Sequence, residues 1–384
     1  MRERIYFLRE FSVPLLAGVF CGLGWANLAP ERYHSVVHGK IFNLASLHFV
    51  TNDLFMVLFF GMAAVEIVRS CLPGGPLHPI RKAVNPLLAT AGGIFGPVAL
   101  YLGLNHAFGS PELARGWGIP TATDIALAWL VARAVFGKKH PAVAFLLLIA
   151  VADDAVGLVI IAVFYPDPAI PAAPAWLLLT GAGMVSAYIL RMRKVGSYWP
   201  YLLLGGSLSW AGLFLAHLHP ALALVFIAPF LPPGRKGEAE LFEGDPRDLS
   251  TLSRFEHEWK VVVDFGMFLF GLVNAGVGFS VVGIPTWLVL ISLLAGKTIG
   301  IFCFATAGRV LGFPPPERLG GKELLLVGMI AGMGLTVSLF IAGEAFADPG
   351  VQGAAKMGAL LSGAIAPVAI ALGNLLKVGK GTPR

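Results

Sequence analysis

The chain has 384 residues, of which 57% are hydrophobic and only 13% charged. Soluble globular chains carry about 25% charged residues, so this composition excludes a soluble fold and points to an all-α protein that crosses a membrane many times. The net charge of +6 is spread thinly through short loops, which excludes a nucleic-acid-binding face and fits orientation in a lipid bilayer.

In chain order, the basic stretch Met1–Arg9 precedes an apolar run. It has no convincing small-residue cleavage site, so the run is read as a first membrane span and not a signal peptide. Hydropathy places about twelve transmembrane helices, at 11–29, 52–70, 86–107, 120–137, 143–165, 175–191, 199–217, 219–231, 260–280, 284–308, 323–346 and 353–376. The loops are short and rich in Pro, Gly and charge. The longest, 232–259, separates eight spans from the last four, and the whole of 1–384 reads as one membrane domain. Cys21, Cys71 and Cys303 lie in or beside apolar runs without CxxC spacing, so no disulfide framework is expected. Apart from Lys297, every Lys and Arg falls in one set of alternate loops except Arg32, Lys40, Arg115 and Lys356. The crowded side is cytoplasmic by the positive-inside rule, which puts both termini there.

Few ionisable residues remain inside the spans. Asp153 and Asp154 stand side by side in LLLIAVADDAVGLVIIAVFY, near the middle of span 5, where an ionised carboxylate costs about 2.5–3.5 kcal/mol on insertion scales. Neighbouring helical residues point about 100° apart, so one acid can line a cavity while the other turns to another helix. Lys297 in span 10 is the available cation. An Asp–Lys staple with a purely structural role explains one acid and leaves the other unpaired. Asp124 follows Pro120, Thr121 and Thr123 in GIPTATDIALAW, a stretch that reads either as a helix N-cap or as an unwound crossing whose carbonyls face a cavity. Span 11 carries Gly332, Gly334 and Thr336 in IAGMGLTVSLFIAG. Two interruptions, each in the second member of a three-span group (3–5 and 10–12), point to inverted repeats, because span 3 starts inside and span 10 outside.

These stretches, with LFGLVNAGVGFS, AGKTIGIFCF and GMGLTVSLFIA, resemble the NhaA-type sodium/proton antiporters in order and spacing, from about Arg9 to Leu376. The resemblance implies a secondary active antiporter in the bacterial inner membrane, not an enzyme. It would exchange cytoplasmic Na+ or Li+ for external H+, electrogenically and without a cofactor. It implies discontinuous spans 4 and 11, a core of spans 3–5 and 10–12, and a scaffold of spans 1, 2 and 6–9. It makes Asp154 the main cation ligand with Asp153 close by, so that Na+ sits at Asp153 and Asp154. Thr123 and Asp124 would belong to the span 4 break, and Lys297 would pair with Asp153. Asp124 and Lys297 would also balance opposed half-helix ends. In a cytoplasmic funnel tied to pH sensing, the matches are Glu66 with Arg69, Glu256 with His257, and His219. Ser70 stands where the family often has a second Glu, and Lys260 where a second His is common, so the activation profile is not transferred. The family's β-hairpin, tied to homodimerisation, would fall in 31–50, where periodicity alone shows no strand.

Two rival functions remain at this level. A sodium-coupled organic-anion symporter of related fold would need no buried lysine. An intramembrane aspartyl protease, with Asp124 and Asp154 on different helices, expects a GxGD sequence, and the candidate stretch here reads GMGL at 332–335.

Overall fold

A computed structural model describes residues 13–41, 45–73, 75, 77, 78, 80–166, 173–233, 250–316 and 319–378. The first helix, α1 (Val13–Leu28), lies along α9 (Thr251–Asn274). Between them, the short helix α2 (Pro30–His38) leads to a small hairpin in which β1 (Lys40–Ile41) pairs antiparallel with β2 (Ala45–Ser46). The hairpin therefore exists within 31–50, on strands of two residues each, too short for periodicity to register. Helix α3 (Leu47–Cys71) contains a π-helical stretch at Val50–Phe55. Helix α4 (Ile80–Phe108) follows and carries Pro86 and Pro97 internally.

The fourth span is broken. Its first half is a 3-10 helix, Pro111–Thr121, and its second half is α5 (Ile125–Phe136), bent by 57° across an extended link. This half-span begins nine residues before the expected start at 120, so Arg115 lies within it and not in a loop. Helix α6 (Pro141–Phe164) starts with proline at its first position, where the missing N–H has no helical partner to lose. Next come α7 (Leu177–Met192) and α8 (Tyr201–Leu215). The expected eighth helix at 219–231 is not one: two 3-10 turns, Pro220–Leu222 and Ala228–Phe230, are joined by irregular turns. Pro220 and Pro229 each remove a donor, and the segment is too short to continue past either.

Helix α9 begins at Thr251, capped by Ser250, whose hydroxyl accepts from Ser253 N at 3.1 Å. The expected loop 232–259 therefore ends earlier, and most of what remains lies outside the described residues. Helix α10 (Ile284–Val310) has a π-helical turn at Ser292–Gly296, directly before Lys297. It runs along α4 at backbone contact: a Cβ on Gly300 would sit 2.0 Å from the Gly92 carbonyl oxygen, and one on Gly92 2.1 Å from that of Gly300. Only glycine permits this approach. The eleventh span is also broken, into α11 (Gly321–Ala331) and α12 (Thr336–Ala345), bent by 50°. The last helix is α13 (Pro349–Leu375), N-capped by Asp348. Lys356, expected in an outer loop, lies two turns inside α13 and is buried.

Among the described residues, six helices are long and apolar enough to cross a membrane, and counting each bent pair as one span brings that to eight. Shorter apolar helices α1 and α8 add to them. Large apolar side chains such as Leu28, Leu178 and Val310 face outward, as in a protein solvated by lipid.

Candidate cation and proton site

Spans 4 and 11 cross at their breaks, and main-chain and side-chain hydrogen bonds hold the crossing. The Asp124 amide donates to the Met333 carbonyl at 2.7 Å. Ser338 Oγ, on α12, donates to the Ile119 carbonyl at 2.7 Å, and the Gly334 amide donates to Ser362 Oγ at 3.3 Å. Gly332 and Gly334 thus fall in the link Gly332–Leu335, and Thr336 opens α12. Pro120 and Thr121 end the 3-10 half, with Thr121 Oγ1 donating back to Gly118 O at 2.7 Å.

Each chain end at the crossing meets a complementary group. Asp124 caps α5, its Oδ1 accepting from Leu127 N at 3.1 Å, and the Thr336 amide and hydroxyl at the start of α12 face the same carboxylate. Two positive helix ends therefore share one acid. On the other side, Lys297 Nζ donates to Thr121 O at 2.6 Å, the carbonyl that ends the 3-10 half. Thr123 Oγ1 stands 2.9 Å from Ala331 O, the last carbonyl of α11.

Asp153, on α6, is the acid of the neighbouring pair that meets this crossing. Lys297 Nζ lies 2.8 Å from Asp153 Oδ2, with neither side chain exposed to solvent. Thr123 Oγ1 is also 2.8 Å from that oxygen, so its single proton serves either Asp153 or Ala331 O. The π-helical turn ahead of Lys297 shifts the helical phase at the residue that must reach across. Asp154 points elsewhere, as the 100° step requires. Its Oδ1, together with Asp153 Oδ1 and Asp124 Oδ2, is buried without a hydrogen-bond partner. Each of the three acids therefore keeps one carboxylate oxygen without a hydrogen-bond partner. Glu66 of α3 interacts electrostatically with Asp154, as do Asp153 and Asp124. Sequence position had placed Glu66 near a helix end, and its electrostatic interaction with Asp154 follows from the packing of α3 against α6.

The remaining expected residues divide between two ends of the molecule. Arg69 Nη1 pairs with Glu256 Oε2 at 2.6 Å, and its Nη2 donates to Ser253 Oγ at 2.7 Å; His257, one residue on, is exposed. His219 is not in this cluster. Its Nε2 bonds the Tyr165 carbonyl, and its Nδ1 stands 3.8 Å from Glu344 Oε2. Asp53, which interacts electrostatically with both Glu344 and His219, lies sixteen residues before Arg69 on α3, about 24 Å along the axis.

With this geometry in hand, comparison with known proteins is informative. The family described as Na+/H+ antiporter 1 matches residues 9–373. A protein named Na(+)/H(+) antiporter NhaA from Geobacter sulfurreducens is 68% identical over 378 residues, covering 98% of this chain and 99% of the relative. One of the same name from Desulfitobacterium hafniense is 64% identical over 379 residues, covering 99% and 97%. Among solved structures, the sodium proton antiporter MjNhaP1 from Methanocaldococcus jannaschii aligns with a TM-score of 0.54 at 15% identity, covering 97% of this chain and 92% of that one; at that identity the likeness concerns the fold alone. Matched from end to end by the family and by close relatives, this chain belongs to the Na+/H+ antiporters and is a multi-pass membrane protein.

Proposed function

We propose that the chain exchanges cytoplasmic Na+ or Li+ for external H+ across the bacterial inner membrane, with Asp154 as principal ligand and Asp153 and Thr123 as its partners. It is a transporter and not an enzyme. The observation that carries the site assignment is the unequal state of the two adjacent acids. Asp153 is held by Lys297 and Thr123, while Asp154 is buried with an oxygen that has no partner. An open carboxylate oxygen at that depth calls for a cation or a proton.

Sodium prefers hard oxygen ligands, which two carboxylates, a threonine hydroxyl and the carbonyls of a broken helix supply. Protons compete for the same carboxylate oxygens, and acids this close titrate as a unit. Exchange then needs no separate coupling device: the core changes its facing against the scaffold only when loaded. When Na+ draws Asp153 away, Lys297 loses its acid and can release a proton. That makes the proton count exceed the cation count, and transport becomes electrogenic. An inside-negative potential, worth about 2.3 kcal/mol per charge per 100 mV, then drives Na+ outward. Asp124 and Lys297 neutralise the helix ends at the crossing through both loaded states. In this reading Glu66, Arg69, Glu256 and His257 tune access from the cytoplasmic side, His219 acts from the opposite end, both termini are cytoplasmic, and the hairpin supports a homodimer.

The test is Na+-driven proton flux in proteoliposomes. Asp154→Asn is expected to lose at least about tenfold of that flux, the worth of one strong ligand. Flux at the wild-type level would remove Asp154 from its role.

A further inference from the structure

The 3-10 half of span 4 runs for eleven residues, Pro111–Thr121, whereas such helices rarely exceed three or four residues unaided. Something outside the segment must hold it, and its last carbonyl is the one that receives Lys297. Resting on the antiporter reading above, we infer that Tyr165 is a positioning residue for the cation site, acting through Gly118 and Thr121 on Lys297.

Tyr165 follows the last residue of α6 and is 1% exposed. Its hydroxyl donates to Arg115 O at 2.7 Å and accepts from Gly118 N at 2.9 Å. Arg115 Nη2 returns to Pro166 O at 2.8 Å, so the 3-10 half is fastened to the end of α6 at consecutive residues. Gly118 is the seat of the ring: a Cβ there would lie 2.6 Å from the phenol oxygen and 2.8 Å from a ring carbon. From Gly118 the linkage is short. Thr121 Oγ1 bonds the Gly118 carbonyl, Thr121 O takes the Lys297 ammonium, and Lys297 holds Asp153. The helix carrying both acids is thereby bonded, through its own terminal tyrosine, to the half-span that positions their cation.

The same segment supplies its own control. Tyr101, from α4, seats against Gly116 and donates to Leu113 O at 2.9 Å. It supports the 3-10 half with comparable packing, but its hydroxyl bonds Leu113, eight residues before Thr121 and nearer the start of the segment. Tyr165→Phe and Tyr101→Phe each keep the ring and delete the hydroxyl. In proteoliposomes, Y165F is expected to raise the apparent KM for Na+ by roughly 3- to 10-fold, the worth of about one hydrogen bond, and to displace the pH profile with kcat retained. Y101F is expected to leave KM and profile at wild-type values. Unchanged Y165F parameters, or equal shifts in the two variants, overturn the inference. Measurements use the monodisperse fraction of purified protein. If Y165F gives none, Gly118→Ala, which displaces the ring and keeps the hydroxyl, must show the same KM rise, and a wild-type KM there overturns the inference. Absence of Na+/H+ exchange in the wild type would defeat the antiporter reading itself and is separable from either outcome.

Discussion

Asp153 and Asp154 share one helix and nearly one depth, yet differ in everything their neighbours supply. Asp153 spends one oxygen on Lys297 and Thr123, and Asp154 keeps an open one. Breaking a buried ion pair from one side leaves an uncompensated charge, at a cost of about 3–5 kcal/mol. Lys297→Gln is therefore expected to lower the melting temperature of the purified protein markedly and to move the pH profile of transport. Because Na+ and protons compete for the same oxygens, the apparent KM for Na+ in the wild type should rise as pH falls while the maximal rate holds, measured by Na+ titrations at each pH of a series. A pH-independent KM would separate the two sites. At this scale the sequence was highly legible: a lone charge in an apolar run has no cheap structural explanation, and Asp124, Asp153, Asp154 and Lys297 stood out for that reason. Lys356 did not, since a lysine near a span's start reads as a loop cation until packing buries it.

The informative elements are the broken ones. The glycines of span 11 and the Pro-Thr-Ala-Thr-Asp stretch of span 4 marked where helices stop, and the two bends lie there. The first half of span 4 was missed because PELARGWGIPT carries Glu112 and Arg115, and its 3-10 winding has no 3.6-residue periodicity to detect. The start of α9 was missed for a related reason: TLSRFEHEWK is too polar for a hydropathy window, although Ser250 caps it in the ordinary way. The contact of α4 with α10 makes a prediction at this scale. Gly300→Val pushes the helices apart at their closest point and carries Lys297, three residues away, with it. Overpacking costs about 1–3 kcal/mol in soluble cores, and here backbone is struck directly. The variant should melt earlier and lose Na+ affinity together. A variant with lowered stability but wild-type KM would show that α10 tolerates displacement.

Across the whole molecule, ionisable groups gather at two levels besides the centre. Arg69 and Glu256 join α3 to α9 at one end, while His219 sits between Tyr165 and Glu344 at the other. A half-buried bridge such as Arg69–Glu256 contributes little to stability, about 0–1 kcal/mol when exposed, so its value should appear in regulation. Arg69→Gln and Glu256→Gln are each expected to shift the pH profile in the same direction, and the double variant to shift it no further. Additive shifts in flux assays would mean that the two act separately. The division of histidines between the ends was beyond sequence reasoning, because His219 sits on a segment whose path depends on irregular turns. The hydrogen bond from the Asp124 amide to the Met333 carbonyl has a further consequence for how such a protein can change over evolutionary time. One bond of the joint between its two repeats is written in backbone atoms alone, and at position 124 only proline would erase its donor. That bond survives any other replacement at position 124, whereas the rest of the hinge depends on particular residues. Ser338 donates to the Ile119 carbonyl, and a Cβ on Gly334 would lie 2.8 Å from the Ala122 carbonyl oxygen, so divergence among descendants is confined to positions outside these contacts.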